Sequence, residues 1–236
     1  MNKYDVVYIL RNDVDGFELR YSLRSIEKNM EHGAVWFVGG QPKDLIPDDR
    51  IAMHQTGDEK WERARSSLIE ACKCKDISDK FWLFNDDFFV LEQMTSEEPM
   101  FHGMLHDHIL HVEHRHGDEP TPYTQQLREC ERMLHEAGLS TFNYAIHVPM
   151  LIDKQKMHEA LMMFPECPMF RSVYGNYAEL GGNDHPDVKI SGFGAKPSGD
   201  FCSTDDDSFR YGMVGADIRA MFPDPCRYEV EYVGQD

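Results

Sequence analysis

Short β-rich runs alternate with amphipathic helical stretches through the first ninety residues, and no other feature limits the fold as strongly. "YDVVYIL" (4–10) reads as a strand and "NDVDG" (12–16) as a turn. "FELRYSLRSIEKN" (17–29) places apolar residues at 17, 19, 23 and 26, which suits one face of a helix. "AVWFVGG" (34–40) is a second strand ended by glycines, "RIAMHQ" (50–55) a third, "DEKWERARSSLIEACK" (58–73) a helix and "KFWLFND" (80–86) a fourth strand. Such alternation predicts an α/β protein with a mostly parallel sheet. Ligands of open parallel sheets gather beyond the carboxyl ends of the strands. The acids after "YDVVYIL" and the "NDD" after "KFWLF" lie on that edge.

The middle of the chain differs. Residues 102–137 read as polar helix broken at "GDEPTP" (117–122), and "TFNYAIHVPM" (141–150) as a strand. "DKQKMHEALMMF" (153–164) and "PMFRSVYGNYAEL" (168–180) read as helices. "VKI" (188–190) suggests a strand, "GDFCSTDDDSF" (199–209) a strand with an acidic loop, and "DIRAMF" (217–222) a last helix. Residues 1–236 are expected to form a single domain, with 100–180 a largely helical insertion or lobe.

A formal charge of −18 argues against nucleic acid, because phosphate repulsion needs a strong basic patch to overcome it. No run approaches the roughly 20 apolar residues of a membrane span, and the first residues do not read as a signal peptide. Six scattered cysteines then suggest reduced thiols and a cytoplasmic protein.

"FWLFNDDFFV" (81–90) sets Asn85, Asp86 and Asp87 inside an aromatic run, where an unpaired buried charge is strongly disfavoured. Carboxylates just after a buried strand bind Mg²⁺ or Mn²⁺ well, sharing the ion with substrate phosphates. They also serve as caps or Asx-turns. A second cluster, Asp205, Asp206 and Asp207 in "STDDDSF", also follows a β-like run. Two acidic segments so far apart invite one shared cation, with Asp87, Asp205 and Asp206 as ligands and Asp207 solvated. Strand periodicity sends Asp86 and Asp87 to opposite sides unless the chain turns at Asn85.

"ELRYSLRSIEKN" (18–29) followed by "ISDKFWLFNDDFFV" (77–90) resembles the signature of the Stealth family of sugar-phosphate transferases. Those enzymes make capsular polysaccharides in microbes, and their animal relatives tag lysosomal glycoproteins. "DVVY" (5–8), "HVPMLIDK" (147–154) and "FCSTDDDSF" (201–209) resemble further blocks of that family. The chain departs from it in having "ILRND" after the first strand and Asp205-Asp206 in the last block, and in a nearly absent spacer between the first two blocks.

The resemblance implies a glycosyltransferase-A-like fold and metal-dependent transfer of a sugar 1-phosphate from a nucleotide-sugar to a carbohydrate or polyol hydroxyl. It implies His147 as the base and Arg171 as the arginine for the phosphoryl oxygens. Imidazole titrates near working pH and guanidinium matches phosphate geometry. Without the resemblance, His147 reads equally as a hydrogen-bonded histidine at a strand end, and Arg171 as half of an ion pair. Asn12, Asp13, Arg24, Lys60, Arg65, Asn85, Asp86 and Asn176 are candidates for the nucleotide-sugar, Lys60, Arg63 and Arg65 lying near a helix start that suits anions. Arg24 also reads as an ordinary ion pair with Glu27, and Asn12, Asp13 and Asp15 as turn formers.

The histidines of 102–116 suggest zinc, with His108, His111 and His114 at helical spacing, but structural zinc sites usually carry cysteine pairs that this stretch lacks. An acceptor-facing helix is the competing reading. Two other functions fit the same residues: an ordinary glycosyltransferase, and a non-catalytic carbohydrate-binding protein with structural Ca²⁺. The partners expected of the enzyme are a nucleotide-sugar and an acceptor, without nucleic acid and at most peripherally on a membrane.

Overall fold

Apolar side chains on both sides of "YDVVYIL" suit an inner strand, and in the computed structural model this run is β1 (Asp5–Leu10) of a five-stranded sheet. The structure describes residues 3–117 and 119–230, so Asp118 of the expected break lies outside it. After β1 come α1 (Phe17–Asn29), β2 (Val35–Gly39), β3 (Asp49–Ile51), α2 (Lys60–Lys73) and β4 (Lys80–Phe84). Next are β5 (Phe88–Val90), β6 (Met100–Phe101), α3 (Leu105–Arg115), α4 (Pro122–Glu136), β7 (Met150–Asp153), α5 (Lys154–Met163) and α6 (Phe170–Tyr177). The chain closes with β8 (Asn183–Asp184), β9 (Lys189–Ile190), β10 (Phe201–Thr204), α7 (Asp206–Tyr211) and α8 (Met213–Met221).

The main sheet has the order β3-β2-β1-β4-β7. Its first four strands run parallel, and β7 pairs antiparallel with β4. The period-2 alternation of β1 divides the core in two. Val6, Tyr8 and Leu10 pack with Leu19, Leu23 and Ile26 of α1, while Val7 lies with Leu68 and Ala71 of α2. Fully burying one such side chain is worth about 1.5–3 kcal/mol, so three anchors hold α1 firmly on its face. A smaller core joins Phe89, Cys202, Phe209 and Ile218 beneath α7 and α8. All six cysteines are free thiols.

Chain direction changes after β4. Phe88 N donates to Asn85 O (3.3 Å), closing a turn over Asn85, Asp86 and Asp87. Beyond it, β5 enters a second sheet of order β5-β10-β9. The turn therefore stands between two sheets, and Asp86 and Asp87 escape strict strand alternation.

Three expectations need correction. Residues 141–150 are not a strand. Several of their backbone donors go to side chains: Phe142 N to Asn176 Oδ1 (2.9 Å), Tyr144 N to Ser172 Oγ (3.1 Å) and His147 N to Asp187 Oδ1 (3.1 Å). Side-chain acceptors of this kind compete with ladder pairing, and the strand starts only at Met150. The expected third strand, 50–55, shrinks to β3, and the acidic loop is the first turn of α7.

Candidate active site

With β1 flanked by β2 on one side and β4 on the other, the order of the parallel strands reverses at β1. The segments following β1 and β4 therefore diverge there, leaving a crevice of the kind that holds ligands in open α/β sheets. A cavity of about 410 Å³ is lined by Arg11, Asn12, Asp13, Gln55, Lys60 and Arg63. Buried Gln55 anchors that wall, donating through Nε2 to Leu10 O (2.9 Å) and Ser67 Oγ (3.0 Å). Among the described residues the Arg63 guanidinium donates only to the carbonyls of Gly57 and Asp58 (3.4 and 3.2 Å). Neither the Arg11 guanidinium nor the Lys60 ammonium has a hydrogen bond or ion pair among the described residues. Three cations without a carboxylate ion pair among the described residues, in a chain of formal charge −18, make this cavity a local exception suited to an anion.

Of the expected nucleotide-side residues, Asn12, Asp13 and Lys60 line this cavity, and Arg65 does not. Arg65 Nη2 donates to Leu161 O (2.5 Å), and its side chain borders a separate depression with Trp61 and Glu62. Arg24 is also spent elsewhere, with Nε and Nη2 on Glu229 (2.6 and 2.8 Å) and Nη1 on the carbonyls of Phe222 and Pro223.

The crevice continues into a carboxylate cluster. Asp86 lies within electrostatic reach of Arg11, Asp87 and Asp206, and burial, reinforced by the Asp87 charge, raises its carboxyl to about 6. Asp87 Oδ2 accepts from Lys189 Nζ (2.5 Å) and Ser203 Oγ (2.9 Å), and Lys189 also donates to Thr204 O. Thr204 Oγ1 donates to Glu18 Oε1 (2.7 Å). Burial pushes Glu18 up to about 9, opposed by the Thr204 hydrogen bond and helped by Asp206, Asp87 and Asp86. The two acidic segments thus meet through Asp86, Asp87 and Asp206. Asp205 caps α7 instead, accepting from Ser208 N (2.8 Å), and with Asp206 and Asp207 lines a neighbouring depression.

Among the described residues, no three His, Cys, Asp or Glu side chains are grouped so as to hold a metal ion. A closed protein cage is therefore not what these residues build. Asp86 and Asp206 offer hard oxygens, Asp206 within hydrogen-bond reach of Glu18, while Oδ2 of Asp87 is engaged by Lys189 and Ser203. That donor set fits Mg²⁺ or Mn²⁺ shared between one or two carboxylates, waters and a ligand's phosphates. Asp205, expected as a ligand, is committed to its cap, and Asp86 is freer than Asp87.

On the far side, His147 Nδ1 lies 2.9 Å from both carboxylate oxygens of Asp187. Its ring meets Phe88 edge-on, with centroids 6.2 Å apart. Two residues after Asp187 comes Lys189, which returns to Asp87, so Asp87, Phe88, His147, Asp187 and Lys189 close a circuit of contacts. Arg171 underlies it. Its guanidinium, 5.0 Å from the Phe88 ring centroid, donates to Ile146 O (3.1 Å), Val148 O (2.6 Å) and Leu83 O (3.3 Å). At 7 % exposure, with burial lowering its pKa to about 10, Arg171 braces the site from within; its donors are taken by carbonyls instead of being open to phosphoryl oxygens. Asn176, 2 % exposed, is a splint between α6 and Phe142, and Asn85 acts through its carbonyl in the turn.

The histidines of 102–116 disperse among partners. His108 Nε2 is 3.2 Å from Tyr123 Oη, His102 approaches Asp184 (3.5 Å) and His106 approaches Glu131 (3.5 Å). Sequence reasoning missed Arg11, Glu18, Asp187, Lys189 and Ser203. The "DVK" spacing was a faint signal, because alternate residues of an extended segment point the same way.

No protein-family profile and no curated protein matches this chain. Among solved structures the chain has distant likenesses. An active-site mutant of LgtC has 13% identity and a TM-score of 0.43 over 80% of this chain and 75% of that one. The galactosyltransferase LgtC with donor and acceptor sugar analogues has 12% identity at the same TM-score and coverage. The glycosyltransferase GlyE of Streptococcus pneumoniae TIGR4 has 11% identity and a TM-score of 0.39, this chain spanning 56% of its length. Likeness this distant assigns neither family nor substrate.

Proposed function

We propose that this protein is a transferase of the glycosyltransferase-A-like kind, resembling the Stealth enzymes. It would move a sugar 1-phosphate from a nucleotide-sugar to a carbohydrate or polyol hydroxyl in cytoplasmic synthesis of a surface polysaccharide. The observation that carries this reading is the crevice where the strand order reverses: a cation-lined cavity at one end, carboxylates in the middle and His147 at the other. Arg11, Lys60 and Arg63 receive the nucleotide's phosphates, and Asn12 and Asp13 border its remaining polar groups. Asp86 and Asp206, completed by waters and the ligand's own phosphates, would hold Mg²⁺ or Mn²⁺, which when bound supplies neutralisation of diphosphate charge. Lys189 keeps Asp87 oriented, and Glu18 with Thr204 fixes the floor on which Asp206 sits. His147 takes the proton of the acceptor hydroxyl, and positioning with electrostatic stabilisation accounts for the rest of phosphoryl transfer.

The released nucleotide tests the reading. Incubation with a panel of nucleotide-sugars and polyol or oligosaccharide acceptors should liberate nucleoside monophosphate in step with a phosphodiester product. Release of nucleoside diphosphate would instead show ordinary glycosyl transfer, and no turnover with any donor would count against both.

A further inference from the structure

Asp187 stands outside every residue that the sequence points to, yet it makes the closest polar contacts of His147. Both of its oxygens lie 2.9 Å from Nδ1, and Oδ1 also accepts from the His147 backbone N–H (3.1 Å). Burial would raise this carboxyl, but the hydrogen bonds from His147 outweigh it and hold the group below the usual carboxylate range. An ionised carboxylate only accepts hydrogen bonds, so the shared proton resides on Nδ1. Other groups surround the pair. Lys189 follows on the same segment, its N–H 3.3 Å from Asp187 Oδ1, and Phe88 packs from the turn that carries Asp87. Arg171 of α6, and His108 and Tyr123 of α3 and α4, lie within electrostatic reach of Asp187.

We propose that Asp187 is a positioning residue that locks His147 in the Nδ1–H tautomer, leaving Nε2 as the ring's basic nitrogen. The catalytic use of that nitrogen rests on the transferase reading; the tautomer does not. In transfer, the acceptor's O–H proton passes to Nε2 as its oxygen bonds to the phosphorus next to the sugar. The phosphoanhydride P–O bond breaks, and its electron pair leaves with the nucleoside monophosphate. Asp187 then balances the imidazolium, as the third member of a nucleophile–base–orienter series does generally.

Ring-nitrogen NMR shifts of His147, assigned with His147→Gln, test the proposal directly. With the imidazole neutral the parent should show protonated Nδ1 and bare Nε2, and Asp187→Ala should revert to the Nε2–H form that free histidine favours. Under the transferase reading, kcat of Asp187→Ala should fall about 10²-fold or more while donor KM stays within about twofold. A parent already in the Nε2–H form overturns the proposal, even if the variant fails to fold. So does a variant with the parent's tautomer, or one whose KM rises at constant kcat. If the tautomers behave as expected but the parent transfers nothing, the transferase reading fails and the positioning role stands.

Discussion

Asp86 and Asp87 are neighbours with opposite commitments. Asp87 is held by an ammonium and a hydroxyl, whereas Asp86 is short of counter-charge apart from the field of Arg11. Their substitutions should therefore separate. Asp86→Asn should weaken nucleotide-sugar binding in Mg²⁺ about tenfold, equivalent to about 1.4 kcal/mol, and change little in EDTA. Asp87→Asn should cost stability as well, roughly 1–3 kcal/mol, because the Lys189 ammonium loses its carboxylate. Calorimetry with and without chelator, alongside urea unfolding, measures both; equal losses of binding at both positions would refute the division. The pair itself was legible in "FWLFNDDFFV", but its order was not. Strand alternation assigns one residue per side, and the Asn85–Phe88 turn that cancels this rule is closed by a backbone hydrogen bond without a strong local signature. Glu18 and Lys189 were illegible for another reason: an acid in a first helical turn and a lysine in a short strand look ordinary until Thr204 and Asp87 meet them.

At the scale of elements, the alternating half of the chain was readable and the remainder less so. Runs such as "AVWFVGG" and "KFWLF" are buried on both faces, so their composition alone betrays a strand in a parallel sheet. Residues 141–150 carry an equally apolar run, yet Ser172, Asn176 and Asp187 claim its backbone donors from far along the sequence. No local window contains that competition. Gly39, at the end of β2, shows how the crevice wall depends on one small residue. Its φ is +104°, and an added Cβ would stand 2.3 Å from Leu10 O and 3.1 Å from Gln55 Nε2. Gly39→Ala should destabilise the fold by about 1–3 kcal/mol through backbone strain alone, with more from the displaced Leu10 carbonyl. It should also weaken anion binding in the cavity beside Gln55. A variant with parental urea midpoint and parental nucleotide affinity would show that β1 and β2 tolerate the added methyl group.

Across the whole molecule, buried and half-buried acids of opposite tendency set the dependence of stability on pH. Glu18 has a folded pKa of about 9 against an ordinary value of 4.5, and Asp86 about 6 against 3.8. For both, the fold keeps a proton that the unfolded chain releases. Their contribution is complete below the unfolded values and is lost as pH rises, through about 9 for Glu18 and about 6 for Asp86. Glu229 works in the other direction. Burial opposes its charge, but hydrogen bonds from Arg24, Cys226 N and Arg20 pull it down to about 2, so its contribution is present above 4.5 and lost as pH falls through 2. A chain of net charge −18 at neutrality adds general repulsion on the alkaline side. The urea midpoint should consequently peak near pH ~4–5 and decline steadily toward pH ~9. Glu18→Gln isolates the largest cause, since glutamine keeps an acceptor for Thr204 and has no proton to lose. At pH ~8 the variant should be more stable than the parent by on the order of 1–3 kcal/mol, and near pH ~4 the two should converge. A constant difference at every pH would mean that the change acts through packing, and that Glu18 is ionised in the fold.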